Sequence, residues 1–382
     1  MILLNNTTIH TMVGPKIEGG FVLIDQGKIE GVFEKPPTVD CPKIDCTGCV
    51  VTPGLIDCHS HVSLFGEPRT RPGLNLDGNE VTDPLTPQLR AEDAIYPFDP
   101  AIETSREAGF TTLFILPGSA NLIGGTGCAV KLRGKTINEM KIPGTEAMKF
   151  ALGENPKRNY GELLKTAPMT RMANLSMIRD LLNRTKEYME KKKDSKNCSY
   201  NDKHEALVPV LKGTMKVRIH CHRADDIWSA IRLAEEFGLD YCLEHVTEGY
   251  MIVDGLAEKR PNCVVGPLWM QPGKQEVWNI THENPYHLFK AGLELALTAD
   301  ASSETAYLPI QVGTLMRYGL AEDTLLRSLT IVPAKIIGIE DKVGTIEKGK
   351  SADISVFDGP PLLNTSKCIQ VFIDGEEVFR DK

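Results

Sequence analysis

The sequence predicts an α/β protein: a (β/α)8 barrel inserted in a small β-sandwich domain made from both chain ends. Three observations carry that expectation. Short hairpin signals lie near each end of the 382-residue chain. The middle alternates strand-length apolar runs with helical patterns. Eight such runs occur over about 290 residues, the number one closed parallel barrel requires.

In chain order, residues 21–24 and 28–33 flank Asp25-Gln26-Gly27 and read as a hairpin. At the other end, 352–357 is a strand candidate. Runs 371–373 and 376–379 flank Asp374-Gly375, a favoured hairpin turn. Neither end can bury a face alone, so they are expected to pack together. Residues 1–52 and 339–382 then form the β domain and 53–338 the barrel. The barrel runs are 49–56, 111–116, 128–132, 147–152, 216–221, 239–243, 262–265 and 293–298. The links around the third run are short for helical crossovers, which sets that strand apart. Residues 224–237 place Ile227, Ile231, Ala234 and Phe237 on one helical face. Residues 155–205 break the rhythm with 12 Lys/Arg against 7 Asp/Glu, and 174–193 reads as an amphipathic helix. This segment is expected to be a solvated helical insertion in a barrel loop.

Composition excludes several classes. At 41% hydrophobic and 25% charged residues the chain is an ordinary globular protein. No run approaches the roughly 20 apolar residues of a membrane helix. A net charge of −8 argues against sequence-independent nucleic-acid binding. The start, Met1-Ile2-Leu3-Leu4-Asn5-Asn6, has no basic segment ahead of an apolar run, so no secretory leader is expected. Ten cysteines in this context are expected to be reduced thiols in a cytoplasmic protein. Cys46 and Cys49 have CxxC spacing, but no second pair with zinc-ribbon spacing accompanies them. A homo-oligomer acting on a small molecule is expected.

The histidines carry the chemistry. His59 and His61 follow the first run at i, i+2, so both imidazoles can reach one point. His220 and His222 repeat this at the end of the fifth run. His245 ends the sixth and Asp300 follows the eighth. Barrel active sites form at strand ends, and neutral imidazoles with a carboxylate suit Zn²⁺ or a similar divalent ion. Such an ion lowers the pKa of bound water and polarises a carbonyl. Asp300 can take the water's proton and pass it to a leaving nitrogen while touching the metal. If two ions bind, an anion should bridge them. Lys149 and Glu154 of the fourth segment are the candidates. Lys149 is preferred, because a lysine buried on an apolar strand is costly as an ammonium, and carbamylation would make it an anionic ligand.

The motif Val51-Thr52-Pro53-Gly54-Leu55-Ile56-Asp57-Cys58-His59-Ser60-His61 resembles the opening signature of the amidohydrolase superfamily. Residues 343–354 resemble that family's return into its β-sandwich. Residues 147–153 are similar to the segment holding a carboxylated lysine in the imidazolonepropionase-related and dipeptidase-like branch. Residues 115–121 and 220–227 also resemble that branch, whose substrates are largely unassigned. The resemblance implies His59 and His61 on the more buried metal, His220 and His245 on the second, and Asp300 as ligand and proton shuttle. It prefers His220 over His222 as the strand-five ligand and leaves His222 facing substrate. One or two divalent ions, zinc above all, and a carbamylated Lys149 follow from it.

Deaminases of the superfamily carry a Glu three residues after the strand-five His. Here Arg223 stands there. The expected function is therefore hydrolysis of an amide, peptide or cyclic amide C–N bond by attack of metal-bound hydroxide. A mononuclear-metal deaminase is the alternative, and a non-catalytic scaffold homologue a third reading. Arg69, Arg71 and Asn121 are candidate substrate contacts, since arginines can grip a carboxylate bidentately.

Overall fold

The computed structural model describes residues 1–67, 76–194, 198–300 and 304–381. Arg69 and Arg71 lie outside the described residues.

The N-terminal strands are β1 (Ile2–Ile9), β2 (Ile17–Asp25), β3 (Lys28–Phe33), β4 (Lys43–Asp45) and β5 (Val50–Pro53). The barrel strands are β6 (Leu55–Ser60), β7 (Phe110–Ile115), β8 (Ile123–Lys131), β9 (Ala147–Ala151), β10 (Lys216–Cys221), β11 (Tyr241–His245), β12 (Asn262–Val265) and β13 (Leu295–Leu297). The chain returns with β14 (Ile354–Phe357), β15 (Cys368–Ile373) and β16 (Glu376–Arg380).

The two ends join in one sheet, ordered β16-β15-β14-β5-β1-β2-β3, with β4 beside β1. Alternation along β1 and β2 gives its two faces different clusters. Leu4, Ile9, Val22 and Ile24 pack with Ile354, Val356 and Phe372, while Leu3, Phe21 and Leu23 form a second cluster. Residues that read as one run, 49–56, serve two sheets, because β5 and β6 part at Gly54. A side-chain carbon at Gly54 would overlap Thr111, so the crossing needs glycine.

The second sheet runs β13-β12-β11-β10-β9-β8-β7-β6. Seven of its strands each have a parallel neighbour, but β8 pairs antiparallel with both β7 and β9. The barrel is therefore not parallel throughout. The physical reason lies in the β7–β8 link, residues 116–122, which is too short for a helical crossover, so the neighbouring strand returns in the opposite sense. Strands β13 and β6 share no ladder, and the seam is held by single bonds. The Thr298 hydroxyl lies 2.6 Å from the His59 carbonyl, and Ile56 N–H donates to Leu329 O at 2.7 Å.

The insertion forms the 24-residue helix Arg171–Asp194 and the helix Asp202–Leu211. The amphipathic pattern at 224–237 becomes the helix Ala224–Phe237, which Gly238 ends at φ +67°. Lys131 of β8 ties barrel to end sheet, with Nζ 3.0 Å from the buried Asp353. Among the described residues no helix is long and apolar enough to cross a membrane.

Candidate active site

The predicted ligands converge at one end of the barrel. His59 sits inside β6 and His61 just past it. His220 is on β10, and His245 ends β11. Lys149 lies on β9, and Asp300 follows β13. All are buried except Asp300, whose side chain is 20% exposed and so reachable from the cavity. Asp300 Oδ1 is 3.3 Å from His59 Nε2 and 3.4 Å from His61 Nε2, and its Oδ2 is 3.6 Å from His245 Nδ1. Lys149 Nζ is 3.2 Å from His59 Nε2.

Alternation explains most of this placement, and backbone conformation the rest. Parallel register pairs Arg218 with Lys149 and His220 with Glu244, so these side chains share the inner face. Glu244 and His245 are neighbours and should point to opposite faces. His245 has φ +73°, a left-handed conformation that redirects its ring inward. Asp300 does the same at φ +51°. Such φ values in non-glycine residues carry strain that the surrounding packing must hold.

Three imidazoles have their tautomers fixed. His59 Nδ1 lies 2.6 Å from Glu244 Oε2, His61 Nδ1 2.7 Å from Leu116 O, and His245 Nδ1 2.8 Å from Gly266 O. A carboxylate and two carbonyls can only accept, so each Nδ1 donates and each Nε2 keeps a lone pair. The Nε2 lone pairs of His59 and His61 thus face the Asp300 carboxylate. His245 Nε2 and His220 Nδ1 are buried without a hydrogen-bond partner. Electron-rich atoms gathered in this way fit a cation. His59, His245 and Asp300 place ligand atoms within 4.8 Å of one another, as do His220, His222 and His245.

Electrostatics agree. Burial holds His220, His222 and His245 well below the usual imidazole range, so they are neutral donors. Burial would raise the Asp300 carboxyl, but the surrounding imidazoles of His245, His59 and His61 outweigh it and hold the group well below the usual carboxylate range, so it is ionised. Burial brings the Lys149 ammonium down to about 8, only partly opposed by Glu244 and Asp300.

Glu154 is elsewhere engaged. Its Oε2 accepts from Glu276 N at 3.1 Å, and its own N–H donates to Glu276 Oε2 at 2.6 Å. Asn121 is not brought to the cavity. It is buried, and its Nδ2 donates to Asp83 O at 2.9 Å and Thr86 Oγ1 at 3.1 Å, pinning the 80–86 loop.

Sequence reasoning missed four residues. Arg218 and Glu244 are both fully buried. Arg218 Nε donates to Glu244 and Nη2 to Cys58 O at 2.6 Å, and the guanidinium stacks 4.8 Å over Phe114. A signal existed for Arg218, which stands two residues before His220 on the same strand face. Glu276 and Lys274 come from the loop after β12. Glu276 is fully buried, with Oε1 2.6 Å from Lys274 Nζ and 3.7 Å from His220 Nε2. No local pattern announces them.

The cluster opens into a cavity of about 420 Å³ lined by His61, His220, His222 and Asp300, with Arg158 and Lys274 also in its wall. A barrel with imidazoles and an aspartate gathered at its strand ends defines the class: a metal-dependent hydrolase.

Comparison with known proteins agrees. The Amidohydrolase family profile matches residues 281–378. The crystal structure of an amidohydrolase from Thermotoga maritima MSB8 superposes with a TM-score of 0.95 at 42% identity, covering 100% of both chains. Amidohydrolase tasK of Hapsidospora irregularis is 29% identical over 397 residues, covering 95% of this chain; the chain spans 40% of that protein's length. An imidazolonepropionase of Fusobacterium nucleatum is 24% identical over 383 residues, covering 90% of this chain and 86% of that one. The chain belongs to the amidohydrolase superfamily, in its imidazolonepropionase-like branch, whose members are hydrolases acting on C–N bonds.

Proposed function

We propose that this protein hydrolyses an amide-type C–N bond of a small molecule, and that His59, His61, His220, His245 and Asp300, with a carbamylated Lys149 as a further anionic ligand, would hold one or two zinc ions. The observation that carries this reading is the set of imidazole lone pairs facing one carboxylate, with two buried nitrogens left unpartnered. His220 is favoured over His222 as ligand. Its Nδ1 is unpartnered, whereas both nitrogens of His222 are engaged, Nδ1 2.7 Å from Thr247 Oγ1 and Nε2 3.4 Å from Lys274 Nζ. Lys149 is favoured over Glu154 because it touches His59 while Glu154 is committed to Glu276.

A divalent ion bound there lowers the pKa of a water and polarises an amide carbonyl. Asp300 reaches both the histidines and the cavity, so it accepts the water's proton and delivers it to the departing nitrogen. His222 lines the same wall and contacts the substrate carbonyl. The Glu244 carboxylate and the Leu116 and Gly266 carbonyls hold three rings in the required tautomer. Deamination fits less well. Arg223 is spent on Asp225, with Nε and Nη2 each at 3.0 Å, and supplies no acid at that position.

The test is metal analysis of protein purified without chelator, joined to a screen of dipeptides, N-acyl amino acids and cyclic ureides. Two equivalents of metal, a carbon-13 carbamate signal from Lys149, and paired release of amine and carboxylate are expected. Ammonia release with one equivalent would replace this reading by deamination. Absence of bound metal would leave the scaffold.

A further inference from the structure

The cavity wall carries two cations, and they differ. Lys274 is already compensated: its Nζ is 2.6 Å from Glu276 Oε1 and 3.0 Å from Asn155 Oδ1. Its third direction faces His222 Nε2 at 3.4 Å. Arg158 lines the same cavity, is exposed, and has no carboxylate partner among the described residues. It opens a π-helical turn, Arg158–Leu163, a rare element that recurs at functional sites. That turn also puts Asn159 and Leu163 on the cavity wall. Among the described lining residues the only carboxylate is Asp300. The cavity wall therefore carries both the hydrolytic cluster and a guanidinium with no counter-charge among the described residues.

We propose that Arg158 is a specificity-determining residue that docks a carboxylate of the substrate, so that the substrates are amides bearing a free carboxylate a short distance from the scissile bond. The planar guanidinium matches a carboxylate bidentately, and Asn159 adds a neutral polar group beside it. Lys274, already paired, adds positive potential and holds Asn155 in place. The uncharged parts of the substrate meet Phe65, Leu163 and Met270. This inference rests on the hydrolase reading for the position of the scissile bond, but its binding test does not.

The experiment is calorimetric titration of the metal-loaded full chain with N-acetyl-L-alanine and with N-acetyl-L-alaninamide, which differ only in the carboxylate. The acid is expected to bind roughly tenfold or more tightly than the amide, in line with a hydrogen bond to a charged group. Arg158→Met should abolish the preference and Arg158→Lys keep part of it, with metal content unchanged in both. Equal affinities in the wild type, no binding of either probe at millimolar concentration, or a preference that survives Arg158→Met would overturn the subsite. Hydrolysis assays separate the two claims. Neutral amides cleaved as well as their acids would overturn the subsite and leave the hydrolase standing. A carboxylate preference in binding without cleavage of any amide would do the reverse.

Discussion

Replacing Glu244 by glutamine removes one charge from an ion pair buried inside the barrel. Arg218 and Glu244 are 1% and 0% exposed, so the guanidinium loses its counter-charge where water cannot replace it. Breaking a buried pair from one side costs about 3–5 kcal/mol. Against a total stability of roughly 5–15 kcal/mol that is a large share. The same substitution weakens the acceptor that fixes the His59 tautomer, and loss of such a partner typically lowers metal affinity about 10- to 100-fold. Urea unfolding measures the first effect, and zinc competition with a fluorescent chelator the second. A double variant, Arg218→Met with Glu244→Gln, separates them. It removes both charges, and replacing a whole buried pair by residues of similar volume is often neutral or stabilising. It should therefore recover much of the stability while metal affinity stays low. Recovery of full metal affinity in the double variant would refute the claim that Glu244 orients His59. An unchanged urea midpoint in the single variant would refute the claim that the pair is isolated from water.

Three further outcomes follow from the geometry. Asp300→Asn should keep metal bound but lower turnover by about a hundredfold to ten-thousandfold, the range of a lost acid–base group; near-normal rates on a confirmed substrate would end the shuttle assignment. Gly153 has φ +85° and ψ −141°, and a side-chain carbon there would overlap Glu276 Oε2. Gly153→Ala should thus cost on the order of 1–3 kcal/mol in urea unfolding, and a neutral result would mean the Glu276 loop yields freely. Burial raises the Asp226 carboxyl to about 6 even with Arg171 Nε 2.9 Å away. A carboxyl raised on folding holds its proton more tightly than in the unfolded chain, so stability falls as pH rises through that interval. Arg171→Ala raises it further. The added destabilisation should be on the order of 1 kcal/mol at pH 7.5 and should shrink below pH 6 as Asp226 protonates; an equal loss at both pH values would contradict the sign.

The sequence by itself determined the nested order of the two sheets, the eight barrel strands and the six metal-ligand candidates that the structure brings together. Those features are local: apolar runs of strand length, i, i+2 histidines, and turn residues at both ends. The antiparallel sense of β8 was hinted at by short links and decided by pairing with β7 and β9. Whether His245 joins Glu244 inside the barrel depends on one left-handed residue that packing stabilises and no pattern of side chains announces. Asn121 looked available for substrate until the 80–86 loop closed on its amide. Glu276 and Lys274 reach His220 and His222 from a loop more than fifty positions away, so only the closed barrel could reveal them. The sequence determined which groups can do the chemistry. The tertiary structure decided which are neutral, which are paired and which face the cavity, because burial and long-range contacts set those properties and neither is written in the spacing of residues.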